Sequence, residues 1–474
     1  MRIPLTNLTA VDAARLLRDG AITSVALVDA ALKRAEDSAM WNAFITLDAA
    51  GARAAAQRAD AERAAGHATG ALHGVPIVIK DNIHVAGLPC TAGTPALKGF
   101  VPARHAPVAQ KLIDAGAIVV GKTNMHELAF GVTGHNEGFH QPGGLVGVRN
   151  PIDPTRIPGG SSSGTATAIA SGVVAAGLGS DTGASVRLPS AYTNGVALRP
   201  TVHRYSQEGI CPLSRTRDTA GPMARTVGDV ALLHSVIGGK PVPAAAELKG
   251  VRLGICRDPF FANLDADTLA VMAAALMKLQ AAGVELVELS MPGLGALHDA
   301  TGFPVVIVEA HDDLVAYLRT WNTGVTIEQV VAQIASADVR AIYESMVLPK
   351  TLPGPDGRPV DAQPAYDHAM RESRPALRKL YADTFATHRI DALAFPTAPI
   401  VPPRQGPEAC TPEMMGRMIQ NTSPGSVAGI PGLSIPAGLG PSGLPVGLEL
   451  DGPDDSDDRL LALGFAIEAL FQGR

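Results

Sequence analysis

Residues 157–189, IPGGSSSGTATAIASGVVAAGLGSDTGASVRLP, hold two Gly/Ser loops flanking a small-residue helix and a short apolar strand. Glycine at this density lets backbone N–H groups approach a ligand closely, and serines set among them are candidates for nucleophilic chemistry. A second candidate is Lys80, which ends the continuous apolar run 75–79 and precedes Asp81 and Asn82. A lysine serves as a base only where burial lowers its pKa, because desolvation disfavours the ammonium form and a close carboxylate restores it. Alternation along a strand sends Asp81 to the face opposite Lys80.

The local pattern admits other readings. Gly160, Ser162 and Gly164 fit the GxSxG elbow of α/β-hydrolases, with Ser162 as nucleophile, but that motif directly follows a strand and here Pro151, Pro154 and Pro158 precede it. A phosphate-binding loop would need a Gly-Lys-Ser/Thr ending, which is missing. The stretch from Gly134 to His140, GHNEGFH, looks metal-like but lacks the H-E-x-x-H order, and solvated loop histidines explain it better. No metal and no cofactor is expected.

Taken together, the segments resemble the amidase signature family, whose motif runs GGSSGGS, then a helix and strand, then a TDTGGSIR-like turn. Gly159-Gly160-Ser161-Ser162-Ser163-Gly164 and Ser180-Asp181-Thr182-Gly183-Ala184-Ser185-Val186-Arg187 match these. The family's two active serines lie 24 positions apart, as do Ser161 and Ser185 (185 − 161 = 24). The family's lysine ends an apolar strand, here GVPIVIKDN, which places it at Lys80. GKTNMHELAFG from Gly121, RDTAGPMARTV from Arg217, FPTAP from Phe395 and GLPVGLEL from Gly443 extend the match over nearly the whole chain. RYSQEGICPLSRTRDT from Arg204 and VAQIASADVRAIYES from Val331 are similar to stand-alone bacterial amidases of the indoleacetamide and mandelamide hydrolase kind.

The resemblance implies hydrolysis of a carbon–nitrogen bond. An amide needs an activated nucleophile, a stabilised oxyanion and an acid for the departing amine. By resemblance, Ser185 attacks, Ser161 passes its proton, and neutral Lys80 receives it, with a cis peptide that is not before proline preceding Ser161. The backbone N–H groups of Thr182, Gly183, Ala184 and Ser185 form the implied oxyanion hole, in a turn leading to a helix beginning near Ser185. Ser162, Asp181 and Arg187 support it, Asp181 and Arg187 by bracing the turn or Arg187 by a surface ion pair. Ala184 departs from the family's usual glycine: the N–H donor survives, but the methyl restricts the turn and narrows the acyl pocket. Met125, Phe130 and Gly134 are candidate substrate-binding residues, with Phe303 and residues 305–311 as further pocket walls. Small aryl-substituted amides are the implied substrates, with anilides, esters and carbamates accessible by the same acyl-enzyme route. The alternative role is the catalytic subunit of a glutamine-dependent amidotransferase, which would need partner subunits.

The elements that must position these residues read as an α/β protein: one large domain with a twisted mixed sheet covered by helices on both faces. Residues 1–70 form a helical layer, with helices over 9–17, 24–35 and 48–65. Residues 71–240 form the catalytic core, with strands at 75–79 and 117–120. Residues 241–390 read as a helical elaboration or cap lining the pocket, with helices over 268–282 and 326–345. Residues 391–474 return to the sheet with strands at 392–395, 432–435 and 446–450 and a helix over 458–471.

Composition bounds the partners. With 46% hydrophobic residues there is material for a large core. A net charge of −6 without a basic tail disfavours nucleic acid and anionic membrane. Cys90, Cys211, Cys256 and Cys410 are far apart with no zinc spacing, as expected of a reduced cytoplasmic protein. A small-molecule amide or carbamate is the expected partner, and a monomer or homodimer the expected state.

Overall fold

Several helices begin where the sequence supplies a side chain for the orphan N–H groups of a first turn. Thr9 Oγ1 accepts from the Asp12 N–H at 2.9 Å and opens Ala10–Arg18. Thr23 does the same for Ser24–Asp37, Asp48 for Ala49–Ala64 and Asp265 for Ala266–Ala281. The computed structural model describes residues 4–67, 70–140 and 146–473.

The strands are β1 (Phe44–Leu47), β2 (Pro76–Lys80), β3 (Ile118–Thr123), β4 (Ala176–Asp181), β5 (Val196–Arg199), β6 (Thr219–Ala224), β7 (Arg252–Cys256) and β8 (Glu285–Leu289). They continue with β9 (Thr351–Pro353), β10 (Pro359–Asp361), β11 (Ala392–Pro396), β12 (Gly432–Leu439) and β13 (Pro445–Asp451). Among the described residues, eleven of them form one sheet, ordered β1-β3-β2-β4-β6-β5-β12-β13-β11-β7-β8. β2 runs parallel to both β3 and β4, whereas β4, β6, β5, β12, β13 and β11 pair antiparallel in succession, so the sheet is mixed. β9 and β10 form a separate hairpin.

Both faces of the sheet are covered. Ile77 and Ile79 of β2 and Leu433 and Ile435 of β12 pack with helices Val227–Gly238, Ala266–Ala281 and Asp457–Phe471. The alternate residue Val78 points the other way, to helices Ser24–Asp37, Ala49–Ala64 and Ser163–Ala170. This is the period-2 division of side chains between two buried faces, and the α/β single-domain reading holds.

Three expectations need correction. Residues 241–390 are not wholly a helical elaboration: β7 pairs parallel with β11 and β8 with β7, so this segment supplies one end of the main sheet. The N-terminal layer likewise contributes β1, antiparallel to β3. The single helix over 326–345 is broken into Ile327–Val331, Ala337–Ile342 and a π-helical turn at Tyr343–Val347. The fully buried Glu127 carboxylate causes the break by accepting from the N–H groups of Ala335, at 3.1 Å, and Ser336, at 2.8 Å.

Candidate active site

β2 places the lysine. Because Val78 faces the layer that contains helix Ser163–Ala170, Lys80 follows it to that side and is wholly buried. Lys80 Nζ is hydrogen-bonded to Ser161 Oγ at 2.7 Å and donates to Ser180 Oγ at 2.9 Å. Asn82 fixes Ser180 by donating to its hydroxyl at 3.0 Å. Asp81 is engaged elsewhere: it accepts from Thr91 and pairs with Lys122 at 3.7 Å. Burial therefore dominates at Lys80 and lowers its pKa to about 7, against the opposing pull of the Asp181 and Asp218 charges. At neutral pH this amine is available as a proton acceptor.

The Ser161 loop is held by close backbone contacts. The Gly160–Ser161 peptide is cis, as the resemblance implied. Gly164 approaches the backbone so nearly that a Cβ there would lie 2.3 Å from the Ala43 carbonyl oxygen, which is why no larger residue fits. Ser162 joins the two loops: its N–H donates to the Ser185 carbonyl at 3.0 Å, and its Oγ donates to the Ser180 carbonyl at 3.1 Å. The backbone before Ser162 is loop, not strand, so the hydrolase-elbow setting is absent from this segment. Ser185, 4% exposed, shares no side-chain hydrogen bond with Ser161 among the described residues.

After β4 the chain turns through Thr182, Gly183, Ala184 and Ser185 before helix Arg187–Tyr192 begins. Among the described residues, none of these four N–H groups donates a protein hydrogen bond. Buried backbone donors are almost always satisfied; an unspent run beside Ser185 is the arrangement an oxyanion requires. The Asp181 carboxylate receives the Val186 N–H at 3.0 Å and so fixes the turn from inside. Thr182 Oγ1 donates to Asp218 at 2.5 Å, which anchors the opposite side. Burial raises Asp218 to about 6, against its hydrogen bonds from Thr182, Ser214 and Leu213.

Arg187 is fully buried rather than a surface residue. It pairs with Asp181 at 3.2 Å and Glu449 at 2.8 Å, and Arg199 adds a second cation 3.0 Å from Asp181. For Asp181, burial, which raises a carboxyl pKa, is outweighed by Arg187 and Arg199, which hold it at about 2. The Ala184 methyl packs in an apolar cluster with Val132, Ile157, Leu188 and Tyr192.

Two cavities lie against the segment 131–134, whose backbone approaches Gly160. One, of about 230 Å³, is lined mainly by apolar side chains including Phe130, Val132, Ile342, Met346 and Met415. The other, of about 590 Å³, includes Gly134, Val148, Arg149, Asp338 and Cys410. Lys80, Ser161 and Ser185 line neither cavity. Phe130 and Gly134 thus border open space, whereas Met125 is fully buried and lines neither. Phe303 stands 39% exposed on helix Leu294–Thr320, and Val306 to Val308 pack into a separate core cluster. His135 pairs with Glu137 at 3.1 Å; among the described residues no group of three or more His, Cys, Asp or Glu is placed to hold a metal ion, and no helix is long and apolar enough to cross a membrane.

Ser180, Asp218, Arg199 and Glu449 were not anticipated. Ser180, Asp218 and Glu449 stand within stretches that resembled the family, and being polar residues in those stretches was the only available signal. Glu449 reaches Arg187 across 262 residues, and no local pattern marks such a pairing.

A family model described as Amidase matches residues 26–461. Mandelamide hydrolase of Pseudomonas putida is 45% identical over 470 residues, spanning 98% of this chain and 92% of that protein. Indoleacetamide hydrolase of Agrobacterium vitis is 38% identical over 474 residues, spanning 98% and 97%. Among solved structures, native peptide amidase from Stenotrophomonas maltophilia superposes with a TM-score of 0.83 at 28% identity, covering 99% of this chain and 98% of that one. With the mixed eleven-stranded sheet and a match running through both Gly/Ser loops, the chain belongs to the amidase family and is an amidase.

Proposed function

We propose that Ser185 is the nucleophile, Ser161 the proton relay and Lys80 the general base of amide hydrolysis through an acyl-enzyme. Substrate binding brings the Ser185 hydroxyl into hydrogen-bond contact with Ser161, as catalytic contacts commonly tighten only in the complex. Ser185 Oγ then bonds to the carbonyl carbon while its proton passes to Ser161 and the Ser161 proton to Lys80. The carbonyl π pair moves onto oxygen, where the N–H groups of the Thr182 to Ser185 turn receive it. Collapse expels the nitrogen, which takes back a proton from the Lys80 ammonium through Ser161 and leaves as ammonia or amine. Water repeats the sequence on the ester, releasing the carboxylic acid and restoring Ser185.

The observation that carries this reading is the 2.7 Å contact of Ser161 with a lysine that burial holds near neutrality. Small arylacetamides are the favoured substrates. Mandelamide and indoleacetamide, named by the two relatives, each place an aromatic ring on the carbon next to a primary carboxamide. The 230 Å³ cavity, with Phe130, Val132 and Met415 in its wall, offers apolar room of the size a ring needs. Carbamates, anilides and esters are further acyl donors for the same steps. Purified chain tested on a panel of these compounds, without glutamine or added proteins, should release acid and ammonia fastest from arylacetamides; no turnover of any amide would refute the reading.

A further inference from the structure

Arg149 lines the cavity of about 590 Å³ and is 7% exposed. Its Nε is buried without a hydrogen-bond partner, and among the described residues its Nη1 and Nη2 make no hydrogen bond or ion pair either. The backbone that carries it is clamped. The Arg149 N–H donates to the Trp41 carbonyl at 3.0 Å, and the Arg149 carbonyl accepts from Thr167 Oγ1 of helix Ser163–Ala170 at 3.0 Å. The next side chain, Asn150, donates to the Ile157 and Tyr192 carbonyls at 3.2 and 3.0 Å, which fixes the direction in which Arg149 leaves the chain. Burial holds its pKa below the ordinary arginine value, and no neighbouring carboxylate opposes the shift.

Arg187 and Arg199, also buried, pair with Asp181, and Arg217 donates to the Thr182 and Gly302 carbonyls. A buried guanidinium with no partner is expensive to maintain, and Arg149 faces room for one. Its forked donors match a carboxylate through two parallel N–H···O bonds. The carboxylates already in the cavity stand against histidines: Glu137 lies 3.1 Å from His135 and Asp338 3.2 Å from His126. They also limit the charge the cavity accepts, since among the described residues a single cation beside two acidic side chains suits a monoanion and disfavours a phosphate dianion. Val148, Ile157 and Pro407 supply apolar wall for the rest of a ligand. We propose that the larger cavity binds a small organic monocarboxylate with an apolar body, its carboxylate on the Arg149 guanidinium. This cavity shares Thr133, Asp338 and Cys410 with the cavity of about 230 Å³. The carboxylate therefore has two sources: a free acid, or the amine half of a secondary amide, the second resting on the acyl-enzyme reading above and the first independent of it.

The test titrates benzoate calorimetrically into the natural protein and into Arg149→Met, with benzyl alcohol as the uncharged control. Benzoate should bind the natural protein and lose about tenfold or more in affinity in the variant, as removal of a charge-assisted hydrogen bond requires, while benzyl alcohol should not distinguish the two proteins. Thermal unfolding checks the fold of the variant, and Arg149→Gln replaces it if it does not fold. No benzoate binding to the natural protein at about 10 mM, or equal binding by natural protein and variant, would overturn the proposal. The two sources separate on N-phenylacetylglycine and the neutral N-propylphenylacetamide. If the carboxylate travels with the amine half, KM for the glycine conjugate should be about tenfold lower in the natural enzyme and equal to that of the propyl compound in Arg149→Met. Equal KM values in the natural enzyme, with Arg149-dependent benzoate binding intact, uphold the site and assign it to a free acid. Absence of all amide turnover would refute the acyl-enzyme reading and leave the benzoate titration to decide the site by itself.

Discussion

The Thr182 hydroxyl donates to the Asp218 carboxylate at 2.5 Å, and the other carboxylate oxygen accepts from the Leu213 and Ser214 N–H groups at 2.7 and 2.9 Å. One buried side chain thus ties the loop before β6 to the first residue of the turn proposed to receive the oxyanion. Asp218→Ala removes both acceptor oxygens at once, so the turn loses its anchor. Steady-state kinetics on an arylacetamide should show kcat reduced about tenfold to a hundredfold with KM changed much less, since misaligned oxyanion donors are felt in the transition state. Unchanged kcat would remove Asp218 from the positioning of the turn.

The pH dependence follows from Lys80. Its pKa of about 7 means that the neutral base is lost as pH falls below that value. kcat/KM should therefore drop about tenfold per pH unit below roughly 7 and level off above it. A profile flat from pH 5 to 9 would rule out an amine of this pKa as the base.

Stability should respond with the opposite economy. Burial lowers the folded-state pKa of Lys80, from 10.5 to about 7. The unfolded chain binds more protons between those values, so stability rises with pH across that window. Below pH 7 the cost of burying the charge is fully present. Lys80→Met removes that cost, and urea unfolding at pH 6.5 should find the variant at least as stable as the natural protein, by up to a few kcal/mol, with the difference shrinking toward pH 10. A variant several kcal/mol less stable at pH 6.5 would show that Lys80 is held as a stabilising cation.

Arg187 behaves in the contrary sense. Arg187→Met leaves Asp181 and Glu449 buried without the cation between them, and breaking such a pair from one side costs about 3–5 kcal/mol. Denaturant unfolding should register that loss. Near-native stability would mean that the neighbouring carboxyls, Glu449 and Asp451, are already neutral; both are pushed up, by burial first.

What the sequence made legible was what is local. Lys80, Ser161 and Ser185 sit in motifs whose residue types and spacing are fixed by short stretches of chain. Remote partners were not legible. Glu127 interrupts the helix read over 326–345 from 208 residues away, and a pattern confined to that window carries no trace of it. β8, ELVEL, lies at the end of the sheet with its glutamates exposed, so its mixture of charged and apolar residues between helices resembles the helices around it. Burial of Arg187 likewise depends on β13, which reaches it only once the sheet has closed over the turn.

The most direct test of the account is covalent labelling of the nucleophile by a fluorophosphonate, followed by peptide mapping and repeated as a function of pH. Label should be found on Ser185 alone, at a rate that climbs through pH 7, and should nearly vanish in Lys80→Ala. Label on Ser162, or labelling of Ser185 that is indifferent to pH and to the loss of Lys80, would contradict it.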